Sequence, residues 1–350
     1  MVNPCSETSQ CSRVYLPRLT FMYLLGFVFI VTRIVAYPIN EELLLPFSII
    51  GDLDNESKGN DTWYSPMSIG TLALSANRTT AFIHWTSTHN YTSQLNHNGR
   101  GMELSDLKYF DGKLLTVDDK TGVIYWIDGK KVIPWVILDD GDGYQETFFK
   151  GEWLTVKDGY LYCGSVGKEM TTNIGQFMND NPMFVKKVSR EGEVKTENWL
   201  NRYIALRAAI DVHFPGYVIH EAVQWSEIHK KWFFLPRHVS KLAYNEHSVE
   251  ETGANVLLSA SEDFKSITAV PIGKEIVTRG FSAFQFVPQT DDTIIAALKT
   301  EEIRGKPHSS FIMVFTITGE VILDETRIPG NYKYEGLEFL YEKSVDSLLA

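Results

Sequence analysis

Five segments of the chain repeat one short pattern, in which a polar residue is followed by apolar residues at every second position. An alternation with this period predicts a β-strand that buries one face. The first residues of successive segments lie 47, 69, 61 and 53 positions apart, which suits one four-stranded propeller blade per repeat. The sequence therefore predicts an all-β fold, a five-bladed β-propeller, whose innermost strands begin at Ser105, Glu152, Glu221, Ser282 and Glu335.

Two regions of the chain show the strands of a whole blade. Four alternating segments separated by tight turns are predicted at residues 104–110, 114–117, 123–127 and 132–138. A second set is predicted at residues 281–287, 293–298, 311–316 and 321–323. Residues 153–163 and 222–235 each have the pattern of a hairpin, and a short helix over 199–210 is expected as an insertion between strands.

The residues that open the five repeats all offer oxygen donors, and a closed ring would bring them together around one axis. Hard oxygen donors without thiol or imidazole select calcium rather than zinc or copper. Glu152, Glu221 and Glu335 would repel one another in a shared pore unless a cation lay between them. Each glutamate alone could be a solvated strand end, but three glutamates and two serines in register favour a central calcium site. Whether the serines bind through hydroxyl or carbonyl oxygen, and whether calcium is scaffold or catalyst, stays open.

Charge limits the partners of the chain. It has 33 Lys and Arg against 44 Asp and Glu, a formal net charge of −11. A phosphate backbone demands a basic surface, so a nucleic acid polymer is not expected as a partner. A small anionic substrate is compatible with this charge, provided that a bound cation screens the repulsion.

Residues 1–36 are predicted to be a signal peptide. Arg13 and Arg18 precede an uncharged apolar run of 14 residues, from position 19 to 32, whereas a bilayer span takes about 20. Cleavage is expected after Ala36, followed by a tether over 37–45 and the propeller over 46–345. An uncleaved signal anchor is the alternative. Both interpretations place the folded part in the secretory pathway.

Sequons and cysteines agree with export. Cys5 and Cys11 precede the apolar run, so the mature chain would hold only Cys163 and no internal disulfide. Cys163 alternates like a strand residue and is expected in the core. Four N-glycosylation sequons begin at Asn55, Asn60, Asn77 and Asn90.

An ordered series of motifs extends from about residue 45 to 340. It includes residues 51–54, 117–122, 152–158, 167–169, 219–221, 234–237, 253–261, 280–282 and 333–336, and its longest member is Gly99-Arg100-Gly101-Met102-Glu103-Leu104-Ser105-Asp106-Leu107. In these motifs the chain strongly resembles the calcium-activated nucleotidases, the apyrase family shared by vertebrate secretory-pathway enzymes and salivary apyrases of some blood-feeding arthropods.

The resemblance implies a five-bladed propeller with calcium at its centre, which cuts nucleoside di- and triphosphates to monophosphates. It implies a metal site made by Ser105, Asp106, Glu152, Glu221, Ser282 and Glu335, a set that includes all five repeat-opening residues. The family usually has Trp after Gly-Lys-Glu, where this chain has Met170, so base stacking or pocket shape is expected to differ there.

Two arginines and four carboxylates are the candidate catalytic residues. A guanidinium fork matches phosphate oxygens, so Arg100 and Arg237 are expected to clamp phosphate, with Lys168 as a weaker candidate. Without the resemblance, either arginine could simply pair with a carboxylate. The carboxylates expected around the attacked phosphorus are Asp52, Asp54, Glu103 and Asp119, of which Asp119 could instead close a turn. His220 is expected to be a packed core residue.

The function predicted from these observations is a secreted, calcium-dependent hydrolase of nucleoside tri- and diphosphates. Two alternatives are a calcium-dependent lactonase or esterase on a six-bladed propeller, and a secreted binding protein with purely structural calcium. An anchored chain would instead act in the lumen of the endoplasmic reticulum or Golgi. The sequence leaves nucleobase preference and oligomeric state open.

Overall fold

The computed structural model describes residues 41–304, residues 306–341 and Leu348. All described strands belong to one compact unit that begins at Glu42. In chain order these strands are β1 Leu43–Gly51, β2 Trp63–Leu74, β3 Ala81–Ser93, β4 Leu104–Phe110, β5 Lys113–Asp118, β6 Val123–Asp128, β7 Lys131–Ile137, β8 Trp153–Lys157, β9 Tyr160–Gly164, β10 Met170–Thr171, β11 Phe177–Asn179, β12 Phe184–Val188, β13 Val194–Asn198, β14 Tyr217–Ser226, β15 Lys231–Ser240, β16 Val256–Ser261, β17 Ile267–Pro271, β18 Arg279–Phe286, β19 Ile294–Glu301, β20 Ser309–Thr316, β21 Val321–Arg327 and β22 Tyr334–Phe339.

Helical structure in the described residues is sparse. One α-helix, α1, covers Leu200–Ala208 between β13 and β14. Short 3-10 helices cover Asp54–Ser57, Asn181–Met183 and Val249–Glu251.

Five four-stranded antiparallel sheets form the blades of a propeller. Blades 2 to 5 follow the chain, as β4-β5-β6-β7, β8-β9-β12-β13, β14-β15-β16-β17 and β18-β19-β20-β21. Blade 1 has the order β22-β1-β2-β3, so the C-terminal strand pairs with the N-terminal one. The innermost strands contact in the circular order β22, β4, β8, β14, β18 and again β22. The predicted all-β, five-bladed propeller is confirmed.

The predicted strands and helix agree closely with the structure. The segments that open at Ser105, Glu335, Glu221 and Ser282 lie in innermost strands, and Glu152 stands directly before the fifth. All eight strands predicted for blades 2 and 5 are present, and the predicted helix differs from α1 by one or two residues at each end. β1 begins at Leu43, inside the range assigned to a tether, because its residues already pack in the core between blades 1 and 5. The signal peptide and cleavage site lie outside the described residues.

Apolar side chains fill the space between neighbouring blades. Five clusters of buried residues each join two adjacent blades around the ring. In the cluster between blades 3 and 4, α1 contributes Tyr203 and Leu206. His220 is fully buried and stacks on Tyr203 with ring centroids 5.4 Å apart, which confirms the prediction of a core histidine. Cys163 is free and buried, also as predicted.

No helix of the described residues has the length and apolarity needed to cross a membrane.

Candidate active site

Irregularities in the innermost strands aim the repeat-opening side chains. The register between β14 and β15 skips Glu221, that between β18 and β19 skips Ser282, and that between β22 and β1 skips Glu335. A bulge leaves one residue out of the ladder and turns its side chain out of the regular alternation. Glu221 and Glu335, together with Glu152, consequently line a central cavity and not a cluster between blades.

These three glutamates, called here the glutamate ring, lie close together at the centre of the propeller. The Ser105 hydroxyl is 3.5 Å from an oxygen of Glu152 and 3.5 Å from an oxygen of Glu335. Arg237 joins the third glutamate, since its Nη1 donates to Glu221 and, at 2.7 Å, to Glu335. The Ser282 hydroxyl instead donates to the Tyr334 carbonyl oxygen at 2.8 Å, across to the next innermost strand.

Asp106 occupies the bulge of β4, one position later in the repeat than the bulges at Glu221 and Glu335. It has a φ of 52°, and its two carboxylate oxygens accept the backbone amides of Leu107 at 2.8 Å and Leu154 at 2.7 Å. Burial raises the pKa of Asp106 to about 8. The side chain therefore ties blade 2 to blade 3, and its contact with a metal stays a prediction.

A second group of acidic side chains, the carboxylate cluster, consists of Asp52, Glu103 and Asp119. All three are buried, and one oxygen from each lies within 4.8 Å of the others. Arg100 donates to Glu103 Oε1 at 2.7 Å and to Asp54 Oδ1 at 3.0 Å. The structure thus brings all four predicted catalytic carboxylates together with Arg100.

One carboxylate oxygen of Asp119 accepts hydrogen bonds, and the other has no partner among the described residues. Its Oδ2 accepts Lys120 at 3.0 Å and Lys150 at 2.9 Å, while its buried Oδ1 has no hydrogen-bond partner among the described residues. Burial works to raise the pKa of Asp119, but Lys150 and Lys120 outweigh it and hold the pKa below its ordinary value. Asp119 is therefore an ionised carboxylate with an oxygen available to accept a hydrogen bond.

Two lysines that the sequence analysis missed connect the carboxylate cluster to the glutamate ring. Lys150 bonds both Asp119 and Glu152. Lys333 lies 2.8 Å from Asp52 and 3.5 Å from Glu335. Both lysines stand two residues before a ring glutamate, but Lys-x-Glu also occurs at 195–197 and 299–301, outside the network. The spacing alone therefore does not identify them.

Glu302 is another residue that the sequence analysis missed. It follows β19 directly and bonds Nη2 of Arg237. No repeat or motif singles it out, because it reaches the centre from the second strand of blade 5.

The linked ion pairs carry an excess of negative charge. Eight carboxylates and five cations give a formal charge of −3 (5 − 8): Asp52, Asp54, Glu103, Asp119, Glu152, Glu221, Glu302 and Glu335 with Arg100, Lys120, Lys150, Arg237 and Lys333.

The glutamate ring shows the effect of this excess. Burial and the neighbouring Glu152 and Glu335 raise the pKa of Glu221 to about 8, although Arg237 acts against the shift. The donors of the ring and of Ser105 are all oxygens, with neither imidazole nor thiolate. This donor set and charge fit a calcium ion.

The ion-pair network faces a cavity of about 870 Å³. Among the predicted site residues, those that line it are Asp52, Asp54, Asp119, Glu152, Lys168, Glu221, Arg237 and Glu335, whereas Arg100, Glu103, Ser105, Asp106 and Ser282 are not part of its lining. The lining also includes larger apolar side chains, from Phe148, Met170, Met178 and Tyr244. Met170 is 39% exposed, so the position where the family usually has Trp faces the cavity. The cavity lining therefore combines charged and apolar side chains.

Comparison with known proteins gives consistent matches over most of the chain. The apyrase family model matches residues 52–340, which include every predicted site residue. The soluble calcium-activated nucleotidase 1 of Mus musculus is 50% identical over 296 residues, which cover 84% of this chain and 73% of the mouse protein. Apyrase apy-1 of Caenorhabditis elegans is 50% identical over 83% of each chain. An apyrase of Cimex lectularius is 42% identical over 87% of this chain and 85% of its own.

Proposed function

Because the chain belongs to the apyrase family, we propose that it is a calcium-dependent nucleotidase that hydrolyses nucleoside tri- and diphosphates to monophosphate and orthophosphate. The observation that carries the proposal is the network of carboxylates and cations, with its charge of −3, at the floor of a cavity of about 870 Å³. Excess carboxylates suit a divalent ion, and the arginine and lysine side chains suit a phosphate chain. ATP and ADP are the expected substrates, together with UDP and GDP.

The residues proposed to hold calcium are the glutamate ring with Ser105, Asp106 and Ser282. When bound, calcium would polarise a phosphoryl oxygen and neutralise developing charge. The glutamate ring would supply the charged ligands. The position of the Ser105 hydroxyl, 3.5 Å from an oxygen of Glu152 and 3.5 Å from one of Glu335, supports its place in this set.

Arg237 and Arg100 are proposed to bind the phosphate chain. Arg237 is buried at the cavity floor, where a guanidinium is worth more than in water because few solvent dipoles compete with it. Arg100 bonds Asp54 and Glu103, which fix its direction. Lys150 and Lys333 lie beside the same carboxylates and add positive charge for the phosphates.

The carboxylate cluster is proposed to orient the attacking water. The free Oδ1 of Asp119 would accept a hydrogen bond from this water and so orient it. The water oxygen forms the new bond to the terminal phosphorus while the bond to the bridging oxygen breaks, the bridging oxygen keeps the electron pair as part of the departing nucleotide, and the water proton leaves with the orthophosphate. Asp52, Asp54 and Glu103 would fix the water and the cations around it. Products are orthophosphate and a nucleotide shortened by one phosphate.

Export to the cell exterior is part of the proposal. All four sequon asparagines, Asn55, Asn60, Asn77 and Asn90, are exposed on blade 1, where an oligosaccharide could be carried. Cleavage after Ala36 would release the enzyme, whereas an uncleaved anchor would hold it in the lumen of the endoplasmic reticulum or Golgi.

Phosphate release from ADP, measured with calcium, with magnesium and with a chelator, tests the proposed function. Release that needs calcium is the expected result. Release with magnesium alone would contradict calcium dependence, and no release from any nucleoside di- or triphosphate would leave a binding protein or an esterase as the better explanation. Hydrolysis of a lactone or ester substrate by the same preparation would distinguish these two.

A further inference from the structure

Glu302 lies at the active site without belonging to any predicted set of ligands or catalytic residues. It is the first residue after β19, and its carboxylate bonds Nη2 of Arg237 and lies 4.0 Å from Lys333. Burial works to raise its pKa, but Lys333 and Arg237 hold the pKa below its ordinary value. Glu302 is therefore a charged group beside Arg237.

The two terminal nitrogens of Arg237 donate to carboxylates with different proposed roles. Nη1 donates to Glu221 and Glu335, both proposed as calcium ligands, whereas Nη2 donates to Glu302. A carboxylate that binds a divalent cation attracts a guanidinium less strongly, because the ion takes up much of its charge. Glu302 is outside the glutamate ring and keeps its full attraction for Arg237.

We propose that Glu302 is a positioning residue, which holds the Arg237 guanidinium in the direction that binds the substrate phosphate chain. This inference rests on the proposed function. A guanidinium held through one nitrogen keeps its other N–H groups for phosphate oxygens, and the fork geometry makes its orientation decisive. Glu302 acts through Arg237 and touches neither the phosphate nor the calcium ion.

The neighbouring Glu301 provides a matched control. The side chains of both glutamates are 21% exposed, and each pairs with an arginine. Glu301 lies 3.3 Å from Nε of Arg279, whose guanidinium packs on the Phe311 ring and does not line the active-site cavity. Replacing either glutamate by glutamine thus removes one charge from an ion pair, but only one of the pairs faces the cavity.

The experiment compares Glu302→Gln with Glu301→Gln in the full-length protein. Three quantities are measured: kcat and KM for ADP with calcium, the Kd of α,β-methylene-ADP by calorimetry, and the rise in Tm that calcium produces. Glu302→Gln is expected to raise both the KM and the Kd about tenfold, and Glu301→Gln to change them less than about twofold. The calcium-induced rise in Tm should match that of the wild type in both variants.

A double-mutant cycle with Arg237→Lys tests whether Glu302 acts through Arg237. In that background Glu302→Gln should change the Kd of the analogue less than about twofold, because the fork that it orients is gone. Glu302→Asp keeps the charge and is expected to recover part of the binding, and it serves as the milder variant if Glu302→Gln lowers the yield of folded protein.

Equal effects of the two glutamine variants on KM and Kd would overturn the proposal, and so would a full effect of Glu302→Gln in the Arg237→Lys background. A calcium-induced rise in Tm that disappears in Glu302→Gln would place Glu302 in the metal site and also overturn it. A wild-type protein that binds the analogue but releases no phosphate would refute the proposed function alone, since the analogue titration still tests Glu302.

Discussion

Replacing Arg237 with alanine should lower the stability of the protein more in the absence of calcium than in its presence. Arg237 is buried and is the shared partner of Glu221, Glu335 and Glu302. Its removal leaves eight carboxylates and four cations in the network, so the formal charge changes from −3 to −4. The three carboxylates then repel one another at the cavity floor. Calcium bound to the glutamate ring would compensate part of this repulsion.

The expected size of the effect follows from the burial of the ion pairs. Loss of one partner from a buried ion pair costs about 3–5 kcal/mol of unfolding free energy. Glu221, with its pKa of about 8, can take up a proton, so the lower end applies. At about 1.6 °C per kcal/mol for roughly 300 folded residues, the Tm in a chelator should fall by about 5 °C. In saturating calcium the fall should be about half as large, because calcium binds the charges that Arg237 leaves.

Thermal unfolding with chelator and with calcium, together with ADP turnover per folded molecule, measures these effects. Turnover in calcium should fall at least about a hundredfold, since Arg237 is the proposed phosphate ligand. Arg279→Ala is the control, because Arg279 pairs with Glu301 and Glu325 outside the cavity and should lose the same Tm with and without calcium. Normal turnover in Arg237→Ala, with a Tm deficit that calcium does not change, would refute the reasoning and leave Arg237 as a structural ion-pair partner.

Three further predictions concern the metal, the pH and export. Glu335→Gln should abolish the calcium-induced rise in Tm and calcium-dependent turnover, because one charged ligand is lost; an unchanged rise would remove Glu335 from the metal site. Burial lowers the pKa of His220 from 6.5 to about 3, so the unfolded chain binds the extra proton and stability falls as the pH drops below 6.5. In His220→Phe the free energy of unfolding, measured with urea between pH 6 and 4, should fall with decreasing pH by about 1.4 kcal/mol per pH unit less than in the wild type. An unchanged dependence on pH would contradict a buried neutral His220. Secreted protein should begin near Tyr37 and shrink on treatment with an N-glycosidase, whereas recovery only with membranes would indicate an anchor.

The innermost strands could be predicted because their signal is local. Each of them shows, within five positions, a residue with an oxygen donor followed by apolar residues at every second position, as in Glu335-x-Leu337-x-Phe339. The outer strands of blades with tight turns could be predicted from the same local alternation. The bulge at Asp106 could not be predicted, because it depends on which residue of β5 each residue of β4 faces. The side chain of Asp106 therefore bonds the Leu154 amide of the next blade, a contact that no spacing along the chain reveals.

The cations of the site divide into those with a local signal and those without. Arg100 and Arg237 belong to motifs that resemble the apyrase family, so their place could be predicted from that resemblance. Lys150 and Lys333 each precede a ring glutamate by two residues, but the same spacing occurs at 195–197 and 299–301, so it does not identify them. Glu302 approaches from the second strand of its blade, so only the folded ring brings it to Arg237.

Each glutamate of the ring is paired with a cation from its own blade. Each blade that contributes a ring glutamate also contributes one cation that bonds it or lies beside it: Lys333 with Glu335 in blade 1, Lys150 with Glu152 in blade 3, and Arg237 with Glu221 in blade 4. Blades 2 and 5 contribute Ser105 and Ser282, and the residues two positions before them are Glu103 and Gly280. A glutamate at either serine would therefore bring a charge without its own cation. The three pairs are formally neutral, and the charge of −3 comes from the other carboxylates of the network, so a further glutamate would add to an existing excess. Serine at these two positions avoids that addition.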